Sequence, residues 1–226
     1  MVETVALFFR SGGPMMWVIL SLLAVAAAVL AERLHFYLVT CRDSADELAT
    51  TAVRRLGEGK AQVALDDLAG QSSPAAVILH RTVERHAHGL VAADARLAAE
   101  ESAIREVPRY GRRVSYLAML ANIATLTGLL GTIFGLQQSF SSLAVVEAAE
   151  KASILAAGIS QAMNTTAFGL MVAIPCMVAY TRLASMSARK TEDCDAAAVK
   201  LLGYLEAQER DGRELAIDLP EQRTAV

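Results

Sequence analysis

The sequence predicts an all-α integral membrane protein with three transmembrane helices extended into the cytoplasm and a helical cytoplasmic segment between spans 1 and 2. Hydrophobic residues make up 54% of its 226 residues, which is a high share for a soluble domain. Three blocks, residues 15–31, 114–146 and 152–181, contain no charged side chain. A helix needs about 20 mostly apolar residues to cross a hydrocarbon core of about 30 Å, so each block is a candidate span. Elsewhere the apolar residues recur with a helical period.

The first element is an interfacial segment, residues 1–14, in which a short apolar helix precedes a break at Ser-Gly-Gly-Pro, residues 11–14. Transmembrane helix 1 follows over residues 15–38. Trp17 lies near its start, at the headgroup level that suits an indole ring.

A cleaved signal peptide is the alternative interpretation of this first apolar block. Val-Leu-Ala at residues 29–31 has the small residues of a cleavage site. However, a signal peptide begins with a short basic segment, whereas here Arg10 is the only base and Glu3 accompanies it. The composition therefore favours a retained span.

Residues 39–113 are predicted to form the helical cytoplasmic segment. Ser73 before Pro74 indicates a helix start, because proline is tolerated at the first helical position. Residues 91–107, rich in Ala, Glu and Arg, predict a further helix.

Transmembrane helices 2 and 3 are predicted over residues 114–142 and 153–182, with a hairpin at residues 143–152 between them. Residues 183–226 form a cytoplasmic helix, which continues to about residue 208, and a loose polar tail from residue 211. The apolar stripe predicted on this helix consists of Leu183, Met186, Val199, Leu202 and Leu205.

The basic residues near the span ends predict the orientation. One side carries Arg33, Arg42, Arg109, Arg112, Arg113, Arg182, Arg189 and Lys190, and the other carries Arg10 and Lys151. Because basic loops stay in the cytoplasm, the N-terminus and the hairpin are expected to face outward and the C-terminus to lie in the cytoplasm. The chain is thus predicted to be a multi-pass membrane protein with its termini on opposite sides.

Small and hydroxyl-bearing residues follow one stripe of each long span. In the second span they are Ala118, Ala121, Thr125, Gly128, Thr132, Gly135 and Ser139. In the third they are Gly158, Ala162, Thr166, Gly169, Ala173 and Cys176, with Gln161, Asn164 and Thr165 beside them. Pro175 lies within the third span, where its missing N–H predicts a kink.

These stripes have two compatible interpretations. Small residues let membrane helices approach closely, and hydroxyl groups bond to the carbonyl four residues earlier, so periodicity alone favours helix packing. The other interpretation is a polar path for water or a hydrated proton. Candidate packing residues are Gly128, Gly131, Gly135, Gly158, Gly169 and Pro175. Candidate pore-lining residues are Thr132, Thr166, Thr165, Gln161, Asn164, Ser139 and Thr125.

Neither long span contains an Asp, Glu, His, Lys or Arg side chain. Proton relays through membranes use Asp, Glu or His side chains. If this protein conducts protons, the titratable group must therefore come from a partner.

Two sequence motifs resemble a known family. The second span contains GLLGTIFGL at residues 128–136, and the third contains GISQAMNTTAFGL at residues 158–170, followed by AIP at residues 173–175. These motifs resemble the span signatures of the ExbB/TolQ branch of the MotA/TolQ/ExbB proton-channel family. Glu32-Arg33 after the first span fits the same branch, and three spans argue against the four-span MotA branch.

The resemblance implies a homopentamer around two helices of a smaller, single-span partner similar to ExbD or TolR, which supplies a membrane aspartate. It also implies a multi-pass protein of the bacterial inner membrane, with the N-terminus and the hairpin in the periplasm. Proton flow would move the smaller partner and power TonB-type uptake, Tol-type envelope maintenance or gliding. For TonB-type uptake, a TonB-like protein would be a further partner. Thr132 and Thr166 match the pore-lining threonines of the family. Gln161 departs from the pattern, because the family usually has Glu there and a glutamine cannot titrate.

Other function classes find less support. A non-conducting membrane scaffold that clusters partner helices is the main alternative, whereas a small-molecule transporter would show more spans and repeats. The sequence gives no readable catalytic set, phosphate loop, metal spacing or need for a cofactor, and the net charge of −3 gives no basic surface for nucleic acid. Three widely spaced cysteines predict neither a disulfide framework nor a metal site.

Overall fold

A computed structural model describes Phe9 and residues 12–88, 91–143 and 147–218, with side chains placed as far as residue 212. All regular secondary structure in these ranges is helical. The chain divides into two compact units. The span unit comprises Met1–Leu34 and Arg113–Ala184, and the helical unit comprises His35–Arg112 and Ser185–Val226.

The helices follow one another along the chain with short connections. They are α1 Met15–His35, a π-helical turn Phe36–Thr40, α2 Ala45–Gly57, α3 Ala61–Ala69, α4 Pro74–Ala87, α5 Ala92–Glu106, α6 Pro108–Gly111, α7 Val114–Ser142 and α8 Lys151–Asp218.

Three helical stretches, which begin at Met15, Ala92 and Lys151, are long and apolar enough to cross a membrane by length and composition. In the most apolar part of each stretch, only 17%, 33% and 28% of the residues are buried inside the chain. A soluble monomer rarely exposes so much apolar surface, so lipid or neighbouring subunits must cover it. The predicted all-helical fold with three apolar spans is confirmed at this level.

The helical unit packs α4 against α3 and α5, and α2 against α3 and α4. Its core includes Leu79 and Val83 of α4 together with Leu201 and Leu205 of α8, all at most 1% exposed. The predicted start at Ser73 is confirmed: its Oγ accepts a hydrogen bond from the Ala76 amide at 3.3 Å, which satisfies one free N–H of the first turn.

Polar contacts tie α8 to the shorter helices of this unit. Lys200 Nζ donates to Asp46 Oδ1 at 2.7 Å and to Thr50 Oγ1 at 2.8 Å. The Ala92 amide, at the start of α5, donates to Glu209 Oε2 at 2.9 Å. These contacts are partly exposed, so packing of the apolar face contributes more to stability than they do.

Tyr110 is the largest fully buried side chain of the helical unit. The Tyr37 hydroxyl donates to the Tyr110 carbonyl at 2.6 Å. Burial raises the pKa of the Tyr110 phenol above its usual range, and burial also raises the pKa of the Cys194 thiol to about 11. All three cysteines, Cys41, Cys176 and Cys194, are buried, and none forms a disulfide.

The C-terminal helix departs from its prediction in two respects. It continues to Asp218, past the predicted end near residue 208 and into the predicted loose tail. Val199 is 70% exposed and does not belong to the buried stripe. The stripe instead consists of Leu183, Cys194, Ala197, Leu201 and Leu205, because 3- and 4-residue steps from 194 lead to 197, 201 and 205 and pass over 199.

The interfacial helix predicted within residues 1–14 lies outside the described residues apart from Phe9. The Phe9 ring meets Trp17 edge-on, with 5.2 Å between the ring centroids, and Phe168 at 5.4 Å. These three aromatic rings connect the start of α1 to α8.

Candidate functional site

The two long uncharged helices, α7 and α8, meet along a line of glycines. Gly128 and Gly135 of α7 are buried. A Cβ built on Gly128 would lie 3.3 Å from the Thr166 Cα, and one on Gly135 would lie 3.2 Å from the Ala162 nitrogen. The neighbouring atoms belong to the opposite backbone, so the helices approach each other backbone to backbone.

The glycines of α8 complete this contact. A Cβ on Gly169 would lie 2.8 Å from the Ala124 carbonyl oxygen. A Cβ on Gly158 would overlap the Ser139 side chain, and one on Gly131 of α7 would lie 2.8 Å from the Thr165 Cβ. Each of these positions therefore requires glycine for steric reasons.

Thr166 makes a hydrogen bond between the two helices. Its hydroxyl donates to the Gly128 carbonyl at 3.1 Å, and its side chain is half-buried. A hydroxyl has one proton to donate and lone pairs that accept. With its proton directed at Gly128, the Thr166 oxygen is oriented to accept from another group.

Thr132 and Thr125 lie at the edge of the glycine face of α7. The Thr132 hydroxyl donates to the Leu129 carbonyl at 2.6 Å, and its side chain is half-buried. Thr125, seven residues earlier, is exposed and donates to the Ala121 carbonyl at 3.0 Å. The donor of each hydroxyl is thus used within its own helix, while the oxygen retains accepting capacity.

Thr165 has different surroundings from its neighbour Thr166. It is 0% exposed, and its hydroxyl lies 2.8 Å from the carbonyl oxygens of both Gly12 and Gln161. One proton serves these two acceptors. Thr165 therefore joins α8 to the turn that precedes α1, and this geometry favours a role in packing.

The other candidate polar residues differ in burial. Ser139 is buried and donates to the Gly135 carbonyl at 3.0 Å. Asn164 and Gln161 are half-buried. The Gln161 carboxamide lies against Gly13, whose φ of +72° is a conformation that favours glycine.

Helix α8 continues through Pro175, which is exposed. The missing N–H of this proline leaves the Met171 carbonyl without its usual helical donor. The kink at this position stays a prediction.

A charge cluster joins the end of α1 to the start of α7, and sequence reasoning missed it. Arg33 Nη2 donates to Glu32 Oε1 at 2.8 Å, and Arg113 Nη1 also donates to the Glu32 carboxylate. Arg113 has a φ of +62°, which is uncommon outside glycine. The sequence marked Glu32-Arg33 as part of the family resemblance and Arg33 and Arg113 as span-end charges. The pairing of Glu32 with Arg113 could not be predicted, because it depends on which helix ends are adjacent.

Across the residues that the structure describes, no three His, Cys, Asp or Glu side chains come together as metal ligands would. The described polar groups of the α7 and α8 spans are hydroxyls, amides, backbone carbonyls and the buried Cys176 thiol. Hydroxyls and amides bind water and neutral acids well.

Comparison with known proteins gives consistent matches. The sequence model of the MotA/TolQ/ExbB proton channel family matches residues 70–196, more than half of the chain. The Tol-Pal system protein TolQ of Pseudomonas aeruginosa is 37% identical over 83 residues, which cover 37% of this chain and 36% of that protein. TolQ of Haemophilus influenzae is 38% identical over 79 residues, covering 35% and 34%. The biopolymer transport protein ExbB of Salmonella typhimurium is 40% identical over 81 residues, covering 35% and 33%. The matched segment spans about a third of the length of each of these relatives.

Proposed function

Because this chain belongs to the ExbB/TolQ branch of the MotA/TolQ/ExbB proton channel family, we propose that it is the proton-conducting subunit of an inner-membrane motor. The motor couples the proton gradient to motion of an ExbD/TolR-like partner. This motion powers an envelope process, which is TonB-type uptake, Tol-type envelope maintenance or gliding.

One observation carries this proposal: the paired helices α7 and α8 hold threonine hydroxyls but no Asp, Glu, His, Lys or Arg side chain in their spans. A proton path needs a titratable group, and the partner's membrane aspartate would supply it. The surroundings of this carboxyl would be uncharged, so they favour its neutral, protonated form.

Thr166 is suited to receive that neutral form. Its proton is directed at the Gly128 carbonyl, so its oxygen can accept a hydrogen bond from a protonated carboxyl group. Thr132, whose hydroxyl donates to the Leu129 carbonyl of its own helix, offers a second acceptor on α7. When the carboxyl loses its proton, it becomes an acceptor only and loses these bonds. Protonation thereby changes how strongly the partner helix binds this face.

The exposed apolar face of α7 supports assembly into a ring. Leu126, Ile133 and Phe140 are 64%, 57% and 61% exposed, and they recur every seven residues along one line of the helix. Lipid or a neighbouring subunit covers such a line. We assign the neighbouring subunits to a homopentamer, in keeping with the family resemblance.

The proposed topology follows the charges. Residues 1–14 and the hairpin at 143–152 face the periplasm, whereas residues 39–113 and 183–226 lie in the cytoplasm. Membrane spans occupy residues 15–38, 114–142 and 153–182.

The test uses the complex purified from its native membranes through an affinity tag on this chain, and reconstituted in liposomes that contain a pH-sensitive dye. We expect an imposed pH gradient to drive proton uptake that is absent from liposomes without the complex. A complex that assembles with a single-span partner but conducts no protons would instead support the alternative, a non-conducting scaffold that clusters partner helices.

A further inference from the structure

A groove with acidic edges lies between α2 and α3 in the helical unit. It has a volume of about 310 Å³ and is open to solvent. Its floor is apolar and consists of Leu48, Ala52, Ala64 and Leu68, the last three of which are at most 3% exposed. We call it the acidic groove, because the carboxylates that line it are at its edges.

Polar side chains form both edges of the acidic groove. Asp43, Glu47 and Thr51 follow one another at four-residue steps along the α2 edge. Residues four apart on a helix share a face, so Glu47 and Thr51 point to the same side. The α3 edge carries Asp67 and, shortly after the end of that helix, Gln71. Each of these side chains has an oxygen atom that can accept a hydrogen bond.

The negative charge of the acidic groove is only partly compensated within the chain. Arg55 Nε lies 3.4 Å from Asp67 Oδ2, whereas no base among the described residues forms an ion pair with Asp43 or Glu47. Asp67 belongs to the last turn of α3, where the helix dipole favours a cation and disfavours a carboxylate. A positive charge from outside the chain would therefore stabilise both edges.

Gln71 gives independent evidence for a missing donor. Its Oε1 atom is buried and accepts no hydrogen bond from any residue that the structure describes. Buried acceptors in native proteins normally have a donor, and an unpaired one destabilises the fold. Because Gln71 lines the acidic groove, a donor bound in the groove would satisfy this oxygen.

A lysine or arginine side chain combines the properties that the acidic groove requires. Its aliphatic stem covers apolar surface, while its charged head donates several hydrogen bonds. The cytoplasmic segment of a single-span partner is expected to carry such side chains, because basic segments stay in the cytoplasm.

We propose that the acidic groove binds the basic cytoplasmic segment of the single-span partner. The apolar floor takes the stem of a lysine or arginine, and the edges take its charged head. This inference rests on the function and topology proposed above, which supply the partner and put α2 and α3 in the cytoplasm.

Photocrosslinking in living cells tests this docking. The photoreactive amino acid p-benzoylphenylalanine replaces Thr51 in the acidic groove or, as a matched control, Gln62 of α3. Gln62 is exposed outside the groove, where its amide donates to Asp66. After irradiation the full complex is purified, and mass spectrometry identifies the linked peptides. We expect a link from position 51, but not from position 62, to a Lys- or Arg-containing stretch of the partner's cytoplasmic segment.

Charge variants test whether the carboxylates hold this segment. Asp43→Asn/Glu47→Gln should lower the yield of the link from position 51 at least about threefold, because one exposed ion pair contributes up to about fivefold to binding. Asp66→Asn/Glu192→Gln removes two exposed carboxylates outside the groove and should leave the yield unchanged.

The other outcomes separate this inference from the proposed function. A partner that co-purifies but links equally from both positions, or whose link ignores the groove charges, would overturn the docking. Links from position 51 only to a second copy of this chain would also overturn it and make the groove a contact between subunits. A charge-dependent link in a complex that conducts no protons would support the docking and contradict the proposed function alone.

Discussion

Thr165 and Thr166 are adjacent in the chain, but their hydroxyl groups have different partners. Thr166 bonds across to α7 from a half-buried position, whereas Thr165 is completely buried and bonds to the turn before α1. Both were candidate pore residues on sequence grounds, since both are hydroxyl residues at the centre of a span. The geometry makes Thr166 a candidate acceptor for the partner's acid, whereas Thr165 holds α8 against the turn before α1.

Replacement of Thr165 tests this separation. Thr165→Val keeps the shape of the side chain but removes the donor to Gly12, and hydrogen bonds between membrane segments contribute about 0.6 to 1.7 kcal/mol. We expect a lower unfolding temperature of the purified complex, because valine leaves the Gly12 carbonyl without this donor. An unchanged unfolding temperature for Thr165→Val would show that this bond does not stabilise the joint.

Cys194 gives a prediction of pH dependence outside the spans. Burial raises the pKa of its thiol to about 11 in the folded chain, against about 8.5 in an unfolded one. The raised pKa means that the folded state favours the protonated thiol, so this contribution to stability is complete below about pH 8.5 and is lost towards pH 11. The parent protein should lose more stability over this interval than Cys194→Ala in thermal unfolding. Equal losses would contradict the assignment.

The helix elements were predictable because their signals are strong. Residues 114–146 and 152–181 carry no charge, and α7 and α8 fill most of these blocks. The buried face of α7 was harder to predict. Thr125 and Thr132 have small side chains like Ala124 and Gly131, so the sequence offers little polarity contrast between neighbouring faces. Only the position of α8 decides which of them are buried, and this is information that periodicity within one helix lacks.

At the scale of the helices, the glycine contact between α7 and α8 gives a prediction of stability. Gly169→Ala places a Cβ 2.8 Å from the Ala124 carbonyl oxygen, and such overpacking costs about 1 to 3 kcal/mol. Gly203→Ala is the matched control, because its Cβ would have no heavy atom within 4 Å and alanine raises helix propensity by about 1 kcal/mol. Thermal unfolding should place the two variants on opposite sides of the parent protein. A Gly169→Ala variant as stable as the parent would show that the helices can separate without cost.

At the scale of the whole molecule, the chain has two of the features that the proposed proton channel needs and lacks a third. It supplies a pair of uncharged membrane spans with accepting hydroxyls and a helical unit with its own core, but these spans contain no Asp, Glu or His side chain. The proposed proton conduction therefore requires assembly with a partner, and the protein alone should conduct no protons. Branch membership was predictable from two motifs. The contacts of Gly12 and Gly13 with Thr165 and Gln161 were not predictable, because these residues come from separate parts of the sequence.

The most direct measurement is proton flux through the reconstituted complex with Thr166 replaced. We expect Thr166→Val to lower the flux at least about tenfold, the effect of one hydrogen bond of about 1.4 kcal/mol, and Thr166→Ser to retain it. Both variants must assemble with the partner as the parent chain does. A Thr166→Val complex that conducts at the rate of the parent would contradict the claim that this hydroxyl accepts the proton-carrying acid of the partner.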